Sequence, residues 1–97
     1  MPVYLINSYD ILDMEAFKSY PPKVAIILKK YGASVLASDL EAKAFEGKAR
    51  TINAIIEFPS AEAATNCYND PEYAEIKNIR LNSTTNYTMI LVNAYGH

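Results

Sequence analysis

Residues Glu57–Tyr73, reading EFPSAEAATNCYNDPEY, leave the chain little choice of fold. A β-prone segment ends in Glu57-Phe58 and is stopped by Pro59, which has no N–H to offer a sheet ladder. Ser60 follows as a helix cap, with a helix expected over about 61–69. Asp70 caps another, with Pro71 at its first position, where a missing N–H is harmless. That second helix is expected to run to about Leu81. The order strand, proline stop, helix and proline-started helix sets the second half of a small α+β domain.

The first half reads in the same terms. Val3–Ile6 is apolar and β-prone and places a strand at about 3–10. Asp13 is an expected helix cap. Met14, Phe17, Tyr20, Val24, Ile27, Leu28 and Tyr31 follow in steps of mostly three and four, one face of a helix. Pro21 and Pro22 interrupt it. The prolines either kink one helix or split it near Tyr20, and the persisting apolar phase predicts the kink. Gly32 is the expected C-terminal cap. Ser34–Leu40 is a weaker strand, which Lys43–Glu46 extends or returns from, and Gly47 with Lys48–Arg50 makes a turn. Thr51–Phe58 is the clearest strand. It puts Ile52, Ala54, Ile56 and Phe58 on one face and Asn53, Ile55 and Glu57 on the other. A polar loop, Asn82–Asn86, is expected to lead into a last strand over Tyr87–Ala94.

The resulting order, βαββαβ, is the ferredoxin-like split βαβ arrangement: α+β, a four-stranded antiparallel sheet, and helices on one face. It fits one domain over 1–97. The strand runs Val3-Tyr4-Leu5-Ile6, Ala54-Ile55-Ile56 and Met89-Ile90-Leu91-Val92 are apolar on both faces. Strands of that kind are covered on both sides. The helices cover one face, and no further element exists for the other. A second copy packed sheet to sheet about a two-fold axis is the expected cover.

Composition narrows the partners. With 97 residues, 51% hydrophobic and 21% charged, the chain has an ordinary globular balance. A net charge of −2 and scattered Lys and Arg give no basic stripe for nucleic acid. No apolar run approaches the ~20 residues that span a bilayer. Cys67 is the single cysteine, which excludes an internal disulfide and agrees with a reducing, cytoplasmic setting. The one histidine, His97, ends the chain, so neither a metal site nor a Ser–His–Asp mechanism is expected, and no cofactor motif is present.

These residues resemble the family known as domain of unknown function 1330. The resemblance rests on Tyr4 and Ile6, on Asp13 with Phe17 and Tyr20, on Gly32 and Gly47, and on Glu57-Phe58-Pro59-Ser60. It continues through Ala63-Ala64, Tyr68, Pro71-Glu72-Tyr73 and Arg80. The chain departs from the family pattern at Ala33 and Cys67 and in having no tryptophan. The resemblance implies a dimeric α/β barrel, two ferredoxin-like sheets face to face, with no assigned activity.

Tyr20, Tyr73 and Arg80 are the ligand-binding candidates, with Asp13 beside them. Tyr73, Ile76 and Arg80 share a helix face, and a guanidinium fork suits a carboxylate or phosphate. On one reading they anchor a small acidic or carbonyl compound in a helix–sheet cleft. On the other, Arg80 pairs with Glu57, Asp13 or Asp70 and the tyrosines fill the core. Glu57 is the candidate base, should it be buried at its strand end. Cys67 reads as a small buried hydrophobe. Three functions stay open: a small-molecule-binding homodimer, a cofactor-independent oxygenase or isomerase, and an interaction module without a pocket.

Overall fold

The computed structural model describes residues 1–96; His97 lies outside them. The elements are β1 (Val3–Ile11), α1 (Met14–Phe17), α2 (Tyr20–Lys30), β2 (Ser34–Asp39), β3 (Ile52–Phe58), α3 (Ala61–Tyr68), α4 (Pro71–Ser83) and β4 (Thr84–Asn93). The four strands form one sheet in the order β2-β3-β1-β4. All three pairings are antiparallel. This is the ferredoxin-like α+β fold.

Alternation along the strands decides which residues meet the helices. Val3, Leu5, Asn7 and Tyr9 of β1 stand opposite Phe58, Ile56, Ala54 and Ile52 of β3. These rows face the helices, and Val3, Tyr9, Ile52, Ile56 and Phe58 from them, with Phe17, Tyr20, Ile27, Leu28, Ala64, Cys67 and Tyr73, make the core. On the other face Ile6 pairs with Ile55 and Ile90, and Tyr4 with Glu57 and Val92. Ile6, Ile55, Ile90 and Val92 are exposed there, 36–55% accessible in the single chain. A lone sheet of this kind normally turns polar residues to water.

The helix ends follow their expected chemistry. Asp13, Ser60 and Asp70 accept from Ala16, Ala63 and Glu72 N–H at 3.1, 3.1 and 2.7 Å. After α2, Gly32 at φ 71° closes the helix, its N–H donating to Lys29 and that of Ala33 to Leu28. A left-handed residue at this point is the usual site for glycine.

Three expectations need correction. The first helix is split, not kinked: α1 stops at Phe17 and α2 starts at Tyr20. Pro21 and Pro22 lack the N–H groups that would bond the Phe17 and Lys18 carbonyls, so two successive ladder bonds are missing. In the first turn of α2 the same prolines lose nothing. The apolar phase survives because Phe17 and Tyr20 both reach the core, their rings 5.6 Å apart. The polar loop at 82–86 does not form either. The α4 helix continues to Ser83 and β4 begins at Thr84, because the Ser83 and Thr84 hydroxyls donate to the Ile79 and Arg80 carbonyls. Residues 43–46 neither extend β2 nor return as a strand.

Candidate functional site

A cleft of about 430 Å³ opens between α1–α2 and the sheet. Phe17, Val24, Leu28, Ile52 and Ile56 give it apolar walls, and Val35 and Leu40 reach it from the β2 side. Its polar groups are few: Asn7 and Tyr9 from β1, Tyr20 from α2, Ser38 from β2, and Lys18. Among the described residues no carboxylate lines it. Lys18 is engaged with Glu15 at 3.0 Å on the surface.

Asn7 is the residue that sequence reasoning missed. It sits mid-strand between Ala54 and Met89, on the face shared with Val3, Leu5 and Tyr9. It is 8% exposed, and its Oδ1 is buried without a hydrogen-bond partner. Such an acceptor costs about 1–3 kcal/mol when left unmade. The signal was available: a period-two reading of VYLINSY puts an asparagine on the core face.

Behind this end of the cleft the tyrosines and Arg80 converge. The Tyr20 and Tyr73 hydroxyls lie 2.9 Å apart, one donating to the other. Burial and then the neighbouring Tyr73 phenol push the Tyr20 pKa well above its usual value. Burial also pushes Tyr9 up to about 12, against the pull of Arg80. Both phenols therefore remain protonated near neutral pH and serve as donors, not bases. Arg80 is 4% exposed, with its Cζ 5.9 Å from the Tyr9 ring centroid and 5.5 Å from that of Tyr87. A bulge in the β1–β4 pairing between Ser8 and Asp10, with Asn86 at φ 54°, lies where those two rings flank the guanidinium. Burial works against the Arg80 charge, but Tyr73 and Tyr20 more than offset it and its pKa is raised.

The structure thus joins Tyr20, Tyr73 and Arg80 and leaves Asp13 and Glu57 elsewhere. Asp13 is exposed and spent on capping α1. Glu57 points to the open face of the sheet, opposite Tyr4 and Ser34, away from the cleft. None of the carboxylates weighed as partners for Arg80 pairs with it. Asp70 instead accepts from Lys30 Nζ at 2.8 Å and from the Tyr31 hydroxyl at 2.5 Å. Those bonds, with the Glu72 N–H, hold its pKa down at about 2. Arg80 also does not line the main cleft; Tyr9 and Tyr20 stand between. Cys67 is buried, and burial pushes its thiol up to about 11. Among the described residues no group of three His, Cys, Asp or Glu could hold a metal, and no helix is long and apolar enough to cross a membrane.

The family model for a domain of unknown function, DUF1330, matches residues 2–95. The chain belongs to the DUF1330 family. Solved structures share its fold at low identity. A protein of unknown function from Rhodopseudomonas palustris aligns at 17% identity and TM-score 0.84, over 99% of this chain and 84% of that one. A dimeric protein of unknown function and ferredoxin-like fold from Bacteroides fragilis aligns at 12% identity and TM-score 0.67, over 96% of each chain. A cofactor-independent oxygenase from Streptomyces nogalater aligns at 13% identity and TM-score 0.73, over 99% of this chain and 95% of that one. No curated protein matches the chain. At such identities the likeness of this DUF1330 chain to solved structures carries the fold alone.

Proposed function

We propose that this DUF1330 protein is a homodimeric α/β barrel that binds a small acidic or carbonyl compound in the helix–sheet cleft. The observation that carries the reading is Asn7. Its amide lies against a largely apolar cavity, more than nine-tenths buried, with an acceptor that no described residue satisfies. An amide offers N–H donors and a carbonyl acceptor together. A carboxylic acid or an enolised carbonyl presents the complementary pair. The apolar walls suit the body of such a compound, and a volume of this order suits a small ligand. The dimer is supported by the apolar open face, where Ile6, Ile55, Ile90 and Val92 meet water in the single chain, and by the dimeric description of the Bacteroides fragilis structure.

A second reading is a cofactor-independent enzyme of oxygenase or isomerase type, favoured by the fold shared with the Streptomyces nogalater oxygenase. Among the described residues no carboxylate lines the cleft, which weighs against proton abstraction by such a side chain there. Native mass spectrometry of the purified protein tests the binding reading. The expected result is a mass of two chains with a co-purified small acid or carbonyl compound, lost in Asn7→Leu while the dimer persists. Retention of that compound in the variant refutes the role given to Asn7, and a single-chain mass refutes the dimer.

A further inference from the structure

A second recess lies on the far side of the tyrosine cluster, against β4. It consists of two adjoining depressions. One, of about 240 Å³, is lined by Tyr68, Arg80, Leu81, Tyr87, Thr88 and Met89. The other, of about 270 Å³, is lined by Leu5, Ala64, Thr65, Tyr68, Met89 and Leu91. They share Tyr68 and Met89, so they form one groove between α3–α4 and β4. From Tyr87 to Leu91 the strand advances about 13 Å at ~3.3 Å per residue.

The two ends differ in chemistry. At the Tyr87 end stands Arg80, buried, with its Nε lacking any acceptor. One turn away, Lys77 holds its Nζ 4.8 Å over the Tyr68 ring. Neither cation joins an ion pair among the described residues. Taking a guanidinium out of water costs several kcal/mol unless a counter-charge accompanies it. The Tyr9 and Tyr87 rings flank the charge and the Tyr73 and Tyr20 phenols favour it, but no carboxylate among the described residues neutralises it. At the Leu91 end the walls are Leu5, Ala64 and Leu91, with no charge at all.

We infer that this groove binds an amphiphilic carboxylate, its head on Arg80 with Lys77 nearby and its short apolar body along Met89 and Leu91 against Ala64. The carboxylate supplies the counter-charge that the guanidinium lacks, through charge-assisted hydrogen bonds. The apolar half selects against fully hydrated anions such as inorganic phosphate, which gain nothing from it. The site is separate from the main cleft, with Tyr9 and Tyr20 between them, and does not depend on what the cleft binds.

Octanoate is a suitable probe, since an eight-carbon chain is of the groove's length. Titrated into the full-length chain and followed by amide ¹H–¹⁵N NMR, it is expected to give saturable shifts at Tyr68, Arg80, Tyr87, Met89 and Leu91. Acetate, a head without a body, and octylamine, a body with the opposite charge, are each expected to bind at least tenfold more weakly. Arg80→Met is expected to weaken octanoate by about ten- to a hundredfold, the worth of a charged hydrogen bond. Should that variant fail to fold, Leu91→Glu, at a partly exposed position, places a like charge in the apolar half and is expected to weaken octanoate at least tenfold. Any of four results overturns the inference: no saturable shift by about 10 mM octanoate, equal binding of octylamine or acetate, shifts confined to the α1–α2 cleft, or undiminished affinity in a folded variant.

Discussion

Ile90→Ala tests the proposed sheet-to-sheet dimer quantitatively. Ile90 lies on the open face beside Ile6 and is 55% exposed in the single chain. Replacing isoleucine by alanine removes three carbons, worth about 2.4 kcal/mol at ~0.8 kcal/mol per buried CH₂. Only the part still exposed in the single chain can be buried by a partner, which leaves about 1.3 kcal/mol. A two-fold axis counts the residue twice, so the dimer loses about 2.6 kcal/mol and its Kd rises by roughly two orders of magnitude. Ile26, 70% exposed on α2, is the control. Its alanine variant removes the same atoms from the opposite side of the molecule and is expected to leave Kd within about twofold. Sedimentation velocity over a concentration series reads all three proteins. Equal Kd values for wild type and Ile90→Ala would refute the placement of the interface. So would a wild-type protein that stays a single chain at ~100 μM, where any association tighter than about −5.5 kcal/mol registers.

Three further outcomes are expected. Tyr20→Phe should cost about 1–3 kcal/mol, and a double-mutant cycle with Tyr73→Phe in urea should return a coupling of about 0.5–3 kcal/mol; strictly additive losses would contradict the shared hydrogen bond. Asp70, held at about 2 against an ordinary 3.8 by Lys30, Tyr31 and the Glu72 N–H, has a depressed folded pKa. Its contribution is therefore complete above pH 3.8 and fades as pH falls through about 2, so urea midpoints of wild type and Asp70→Asn should differ at pH 6 and converge across that window. Cys67, with its thiol near 11 against an ordinary 9.0, should react with a disulfide reagent at pH 8 at least about a hundredfold more slowly in the native protein than in urea; matching rates would place the thiol in solvent.

Most of the fold was legible because its signals are local. Pro59, the Ser60 cap and the Asp70-Pro71 pair are statements about which N–H groups exist and which are satisfied, and such chemistry is written in neighbouring residues. The split of the first helix was harder. Periodicity records which side chains face the core, and it stays in phase across Lys18-Ser19 whether or not the backbone ladder is continuous. The missing loop after α4 had a similar cause. Asn82, Ser83 and Thr84 look like loop residues by type, but Ser83 is fully buried and its hydroxyl, like that of Thr84, is satisfied by α4's own last carbonyls. For the site, helix spacing was enough to put Tyr73 and Arg80 on one face of α4. The pairing of Tyr20 with Tyr73 across 53 positions, and the diversion of Asp70 to Lys30, depend on tertiary packing that no local pattern encodes. Asn7 went unread because an amide in a strand looks like a solvated residue until its face is counted.

The direct passage from α4 into β4 leaves the backbone no slack. Ser83 is the last helical residue and Thr84 the first of the strand, and the Ser83 carbonyl also receives the Leu12 and Asp13 N–H groups at 2.8 and 3.2 Å. Side chains on a strand change sides with every residue. A single amino acid inserted at this joint would turn Leu91 outward and Ile90 inward, exchanging the groove wall for the open face of the sheet in one step. Length at that one position therefore governs both surfaces, and insertions there are expected to be far less tolerated than in the segment 40–51.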